Sequence, residues 1–259
     1  PEVWIKKFIA EEKRNVFELC KAFRNAESIG TIHSPEFTML EYYTVNATAR
    51  DSIEITEALF DTCSTGDTPH YAKPPFRIMT MQEAWLEFAQ LDLIKLQDRD
   101  TLREALLGKG LIVNKEASWE DLFNQAFVQW IEPELPKDRP LVLIEYPAQI
   151  ECLARNIPGT PWKDRWELYI NGIELLNCYT EAATKEAVLA SMKKEAEKKQ
   201  NQQVPHAVNF EYAELFDDFP LCSGVAMGFE RFIMAMNGLA DIRSVLPFPY
   251  MHDWYAEKT

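Results

Sequence analysis

"ELYINGIELLNCYTE", Glu167 to Glu181, is the stretch whose reading decides the fold. Asn171-Gly172 sits between two arms of alternating apolar residues. That is the pattern of a β-hairpin closed by a two-residue turn with positive φ at both positions. The turn sets the register: Ile170 faces Ile173 and Tyr169 faces Glu174. Glu167 then lies diagonally from Glu174 on the same face. Two carboxylates on one sheet face repel unless a cation lies between them. A divalent ion with oxygen ligands, such as Mg²⁺ completed by substrate phosphates, suits that pair; two exposed glutamates on a solvated face is the plainer reading. Strict alternation puts Asn177 and Glu181 on the face opposite Glu174. All four can serve one site only if a bulge or a strand end intervenes.

Two further segments extend the sheet. Val16 to Arg24 and Glu36 to Val45 read as strands around the polar loop of "RNAESIGTIHSPEFTMLEYY", Arg24 to Tyr43. Phe37, Met39, Glu41 and Tyr43 share one face of the second strand. They form either a ligand floor or a half-buried strand with a salt-bridged glutamate. Arg24 is either a loop-edge cation or a forked donor for phosphate or carboxylate. In "LCSGVAMGFERF", Leu221 to Phe232, Gly224 and Gly228 flank Ala226, and Glu230-Arg231 opens an apolar helical run. Small residues on a strand let a ligand approach the backbone, although such a segment is often only packing.

The rest of the chain is mixed. Ser52 to Cys63, Met81 to Gln90, Asp98 to Leu107 and Trp119 to Trp130 read as helices. Cys63 to Pro75 is a turn-rich linker, and "LVLIEYP", Leu141 to Pro147, is a buried strand. Ala182 to Lys199 reads as a charged, solvated helix. Strand patterns outnumber any βαβ rhythm, so the expected fold class is α+β: an antiparallel sheet flanked by helices. With 259 residues, 47% of them hydrophobic, the chain can bury a normal core. It has no run of 18 uncharged apolar residues, so no membrane partner is expected. Five scattered cysteines without a CxxC pair suit reduced thiols and a cytoplasmic setting. A net charge of −14 argues against sequence-independent nucleic-acid binding.

Together these motifs resemble the catalytic core of the class II aminoacyl-tRNA synthetases, the lysyl group in particular. "FRN…HSPEFTMLEYY" looks like motif 2, "ELYINGIELLNCYTE" like the lysine-and-magnesium hairpin, and "GVAMGFER" like motif 3. "PEVWIKKF" and "PFRIMTMQEAW" also look lysyl-type. The resemblance covers nearly the whole chain and implies one class II catalytic domain over residues 1–259. "CSGVA" and "YPAQIECLAR" are closest to the paralogue that attaches lysine to elongation factor P, because Ala226 stands where lysyl-tRNA synthetases carry a third glycine. Motif 1, which builds the family's dimer interface, is expected before Pro1, and a homodimer is expected with it.

The resemblance implies ATP and Mg²⁺ as cofactors. It implies that Arg24 binds the α-phosphate, His33 lies near the triphosphate, Phe37 stacks on adenine and Arg231 contacts the γ-phosphate side. Arg24 and Arg231 are then the catalytic pair. Asn25, Glu27, Leu175 and Gly228 complete the ATP set; Ala26 stands where the family's motif 2 has glutamate, and Glu27 follows it. Glu167 and Glu174 would hold Mg²⁺. Tyr43 and Glu181 would take a side-chain ammonium and Glu2 the α-amino group, with Glu41, Asn177 and Ala226 lining the pocket. The expected function is activation of lysine or β-lysine and its transfer to elongation factor P. Charging of tRNA and a catalytically silent binding module are the alternatives.

Overall fold

The computed structural model describes residues 1–24, 29–182, 184–200 and 208–249. Its strands are β1 (Val16–Phe23), β2 (Glu36–Val45), β3 (Arg77–Thr80), β4 (Leu141–Pro147), β5 (Trp162–Ile170), β6 (Ile173–Thr180) and β7 (Cys222–Gly228). They form one sheet in the order β1-β2-β7-β6-β5-β4-β3. Every neighbouring pair is antiparallel except β3 with β4, which is parallel. The expected antiparallel sheet therefore gains a parallel edge. Four residues are too few for a periodicity to show, which is why β3 escaped the sequence reading. Its link to β4 is a long helical excursion, as parallel pairing requires.

The helices are α1 (Glu2–Glu12), α2 (Ala49–Cys63), α3 (Met81–Ala84), α4 (Arg99–Gly108), α5 (Trp119–Ala126), α6 (Lys185–Gln200) and α7 (Phe229–Asn237). α2 starts three residues before the expected Ser52. Thr48 and Asp51 form a reciprocal capping box there, satisfying two otherwise orphan backbone donors. Thr80 with Glu83 and Ser118 with Asp121 cap α3 and α5 in the same way. α3 and α5 each continue as a wider helical turn, Trp85–Ala89 and Phe127–Ile131. α6 is not wholly solvated: Val188 is buried with Ala213 and Phe216 of the tight helical segment Phe210–Asp218. No helix among the described residues is long and apolar enough to cross a membrane.

Alternation divides the sheet between core and site. Trp166, Leu168, Leu176, Cys178, Val225 and Met227 point to one face and pack with Phe60 of α2 and Phe232 and Met236 of α7. Two anchors fasten α2 there: Trp166 donates to the Ala49 carbonyl at 2.6 Å, and Tyr42 shares a 2.6 Å hydrogen bond with Thr56. A second core fills the helical excursion, where Trp85 and Trp119 each stack on Phe123. The opposite sheet face carries Glu167, Asn177, Ala226 and Glu41.

The 167–181 hairpin has the expected register. Asn171 and Gly172 have φ of 51° and 79°, and Ile170 faces Ile173 while Tyr169 faces Glu174. The register then slips. Leu168 faces Leu176 and Glu167 faces Asn177, so Leu175 is the extra residue of a bulge. This supplies the irregularity that the sequence demanded: Glu174 and Asn177 fall on one face with Glu167.

Gly224 lies between two tyrosines, opposite Tyr43 of β2 and Tyr179 of β6. A Cβ there would sit 2.3 Å from Tyr43 Cε1. At Gly228 the nearest atom to an added Cβ is 3.7 Å away. Gly224→Ala should therefore lower the unfolding free energy by about 1–3 kcal/mol through overpacking. Gly228→Ala should stay within about 0.5 kcal/mol of wild type. Urea denaturation of both variants checks this; equal stabilities would contradict the steric account of Gly224.

Candidate active site

The site face is built from cross-strand rows. One runs Glu167, Asn177, Ala226, Glu41 across β5, β6, β7 and β2. The next runs Arg165, Tyr179, Gly224, Tyr43. Beside the first row opens a cleft of about 170 Å³. Arg24, His33 and Phe37 line it from motif 2, Glu174, Leu175 and Asn177 from β6, Ala226 and Gly228 from β7, and Arg231 from α7. Nine of the residues singled out in the sequence thus converge on one cavity. Asn25 and Glu27 lie outside the described residues.

Two guanidinium groups serve this cleft. Arg24 directly follows β1, where its backbone N–H donates to the Pro35 carbonyl at 2.9 Å. Its guanidinium carbon lies 5.4 Å from the Phe37 ring centroid, within cation–π range. Arg231 sits in the first turn of α7. Its Nε donates to the Ile32 carbonyl at 3.1 Å and its Nη1 to the Glu174 carbonyl at 2.7 Å. It therefore ties the motif 2 loop to the hairpin. Glu230, buried beside it, accepts the Thr38 N–H with both oxygens at 2.8 and 2.9 Å. The sequence reading treated Glu230 only as part of a helix start; here it pins the beginning of β2.

The hairpin carboxylates differ in their surroundings. Glu167 accepts from Arg165 Nη2 at 2.5 Å, from the Tyr146 hydroxyl at 2.6 Å and from the Tyr169 hydroxyl at 2.7 Å. Tyr146 reaches it through an irregularity in β4, where Glu145 takes a positive φ of 64°. Glu174 is placed differently. Burial and the Glu167 carboxylate push it up to about 7, against the pull of Arg231. Glu132, half-buried, is pushed up by burial and by Glu167 as well. It was missed in the sequence because it sits in a proline-punctuated turn.

The donor set suits Mg²⁺. It is all oxygen, and Mg²⁺ typically takes one or two carboxylates together with substrate phosphates and water. A carboxylate has about four lone-pair sites and Glu167 uses three, so Glu174 would be the principal protein donor. No described group of three or more His, Cys, Asp or Glu side chains could hold a metal by itself.

The other end of the site face is a buried acidic cluster. The Tyr43 hydroxyl donates to Glu41 Oε2 at 3.3 Å. Glu181, just past β6, is buried, and its Oε1 has no hydrogen-bond partner. Asn177 Oδ1 is likewise buried without a partner. Among them lies a residue that sequence reasoning missed. Lys6 of α1 is fully buried, with Nζ 2.6 Å from Glu2 Oε1, 2.9 Å from Glu181 Oε2 and 3.4 Å from the Tyr179 hydroxyl. The signal was present: Lys6 shares the inward face of α1 with Ile5 and Ile9, where a lysine has no business unless it is paired.

The profile of the tRNA synthetases class II (D, K and N) matches residues 1–252. Over 244 residues the chain is 30% identical to an elongation factor P–(R)-β-lysine ligase homolog of Aquifex aeolicus, covering 94% of this chain and 77% of that protein. It is 28% identical over 272 residues to the lysine–tRNA ligase of Chloroflexus aurantiacus and 30% identical over 272 residues to that of Psychrobacter arcticus. Each alignment covers 97% of this chain, and 53% and 51% of the relatives, so the chain spans about half the length of these two ligases. The chain belongs to the class II tRNA synthetases of D, K and N type, a family of ligases.

The Glu174 carboxyl generates a stability prediction. Its folded pKa of about 7 lies above the 4.5 of an ordinary glutamate, so between those values the folded chain holds more protons than the unfolded one. The stability linked to this group is complete below about pH 4.5 and is lost as pH rises through about 7. In EDTA, Glu174→Gln should match wild type at about pH 4.5 and exceed it by on the order of 1 kcal/mol at about pH 8. Urea denaturation at the two pH values measures it. A variant less stable than wild type at the higher pH would contradict the assignment.

Proposed function

We propose that residues 1–259 act as one catalytic domain that converts lysine or β-lysine and ATP to the aminoacyl-adenylate and transfers the aminoacyl group to a lysine of elongation factor P. The observation that carries this reading is the pair of buried, unpartnered acceptors, Glu181 Oε1 and Asn177 Oδ1. Glu181 lies at the acidic end of the site face, and Asn177 lines the cleft that Arg24 and Arg231 also line. Buried acceptors are rarely left unmade, and a donor-rich cationic ligand completes them.

In this reading Phe37 stacks on the adenine and Arg24 binds the α-phosphate, with His33 near the triphosphate and Arg231 on the γ-phosphate side. Leu175 and Gly228 form the adjoining wall. Glu181 and Tyr43 receive the side-chain ammonium, and Glu2, Glu41 and Asn177 face the other amino group. A carboxylate oxygen of the amino acid attacks the α-phosphorus, the bond to the bridging oxygen breaks, and pyrophosphate leaves. Arg24 and Arg231 take up the charge that develops, and holding the two anions together supplies most of the acceleration. When bound at Glu174 and Glu167, Mg²⁺ neutralises phosphate charge. The acceptor amine then attacks the acyl carbon, a proton leaves the amine, and AMP departs.

Three features favour a protein acceptor over tRNA. Ala226 puts a methyl in the row between Asn177 and Glu41, lining the cleft. One methyl in such a pocket is worth roughly 1–3 kcal/mol of discrimination, which suits an amino acid with a relocated amino group. The Aquifex aeolicus relative carries the β-lysine ligase name. The chain's net charge of −14 also offers no broad surface for tRNA. Cytoplasmic placement and a homodimer belong to the same reading.

ATP–pyrophosphate exchange with lysine and β-lysine tests activation, and labelled amino acid offered with bulk tRNA or unmodified elongation factor P tests the acceptor. Glu174→Gln should reduce exchange by roughly 100-fold or more. Ala226→Gly should shift the preference toward α-lysine by about tenfold or more. Label on tRNA alone would make this a lysine–tRNA ligase. No exchange with either amino acid would leave a binding module without catalysis.

A further inference from the structure

Lys6 stands apart from every role assigned above. It is a fully buried cation inside the acidic cluster, yet it belongs to the chain and not to a substrate. Burial by itself pulls a lysine toward its neutral form; Glu181, Tyr179 and Glu2 outweigh that and hold Lys6 charged. Its Nζ bonds to one oxygen of Glu2 and one of Glu181, the two carboxylates expected to read the two amino groups of the substrate. The Glu181 oxygen that it does not touch is the one without a partner.

We propose that Lys6 is a positioning residue for amino-acid recognition: its ammonium bridges Glu2 and Glu181 and holds Glu181 as a carboxylate with one oxygen left for the ammonium of the substrate. The inference rests on the lysine reading above and deepens it. Three carboxylates, Glu2, Glu41 and Glu181, share this end of the site. Glu41 and Glu181 are buried while the Glu2 side chain is 47% exposed; without an internal cation the three would repel, and a buried one would take up a proton. A protonated Glu181 is a poor partner for an ammonium. A second internal cation would cancel the field that selects a dicationic amino acid. One lysine leaves two of the three negative charges for the two ammonium groups of lysine or β-lysine.

The groups facing Glu181 agree with this count. Glu2 and Lys6 come from α1, Glu41 and Tyr43 from β2, Tyr179 from β6, Cys222 from β7 and Tyr212 from the segment Phe210–Asp218. Lys163 of β5 is also buried and lines a second cavity together with Glu181, and there its Nζ donates to the carbonyls of Cys152 and Ala154. Among the described residues Lys6 is the cation bonded to Glu181. Burial pushes Glu181 up to about 7 even with Lys6 present, so removing Lys6 moves it further up.

The test is ATP–pyrophosphate exchange from about pH 6 to about pH 9 with wild type, Lys6→Gln, Lys6→Met and Lys6→Arg. At about pH 7 the Gln and Met variants should raise the KM for lysine at least about tenfold while the KM for ATP stays within about twofold. The lysine defect should shrink as pH rises, because Glu181 then ionises unaided. Lys6→Arg, which keeps the charge, should keep the wild-type pH profile. An unchanged lysine KM, a parallel rise in both KM values at every pH, or failure of both neutral variants to fold would make Lys6 a structural ion pair and overturn the proposal. A wild type that activates neither lysine nor β-lysine would sink the lysine reading itself. An active wild type with unaltered Lys6 variants would sink this inference alone.

Discussion

Carboxylates gathered on one face of a sheet repel one another, and the placement of cations among them governs this molecule. At one end, Glu167 is held by Arg165 and two tyrosine hydroxyls, while Glu174 beside it is pushed toward neutrality. At the other end, Glu2 and Glu181 share Lys6. At the Lys6 end the chain's own cation stops short of balancing the acidic groups. The proposed function completes this face with a metal ion and phosphate at one end and an organic ammonium at the other. The asymmetry costs stability, because ionised carboxylates are held in a dry environment. That cost is typical of a surface shaped for a ligand and not for the fold alone.

The backbone devices serve this face. The bulge at Leu175 turns Glu174 to the side of Glu167 and Asn177, and the positive φ of Glu145 brings Tyr146 to Glu167. Gly224 leaves room for the Tyr43 ring. Glu230 pins the start of β2, and Arg231 next to it links the motif 2 loop with the hairpin. α2 and α7 cover the other face, so that the alternation of each strand separates an apolar core from a polar site.

Much of this was legible in the sequence because it is local. Asn171-Gly172 set a turn type, the turn set a register, and the register named the facing residues. The need for a bulge was legible too, as the condition under which Glu174, Asn177 and Glu181 could share a site; its location at Leu175 was not. What stayed hidden depends on distant contacts. β3 is too short to show a period. Arg165 and Tyr146 matter only because the sheet brings them to Glu167. Lys6 lay unremarked within "PEVWIKKF", and its burial between Glu2 and Glu181 gives it meaning.

The central claim is that the acidic end of the sheet reads ammonium groups through Glu181 and Asn177. Calorimetric titration of the protein with lysine and with norleucine, which has the same chain length without the terminal ammonium, tests it most directly. The account predicts that lysine binds at least about 100-fold more tightly, because norleucine leaves the buried acceptor of Glu181 unpaired. Equal affinity for the two, or no binding of lysine with ATP present, would contradict it.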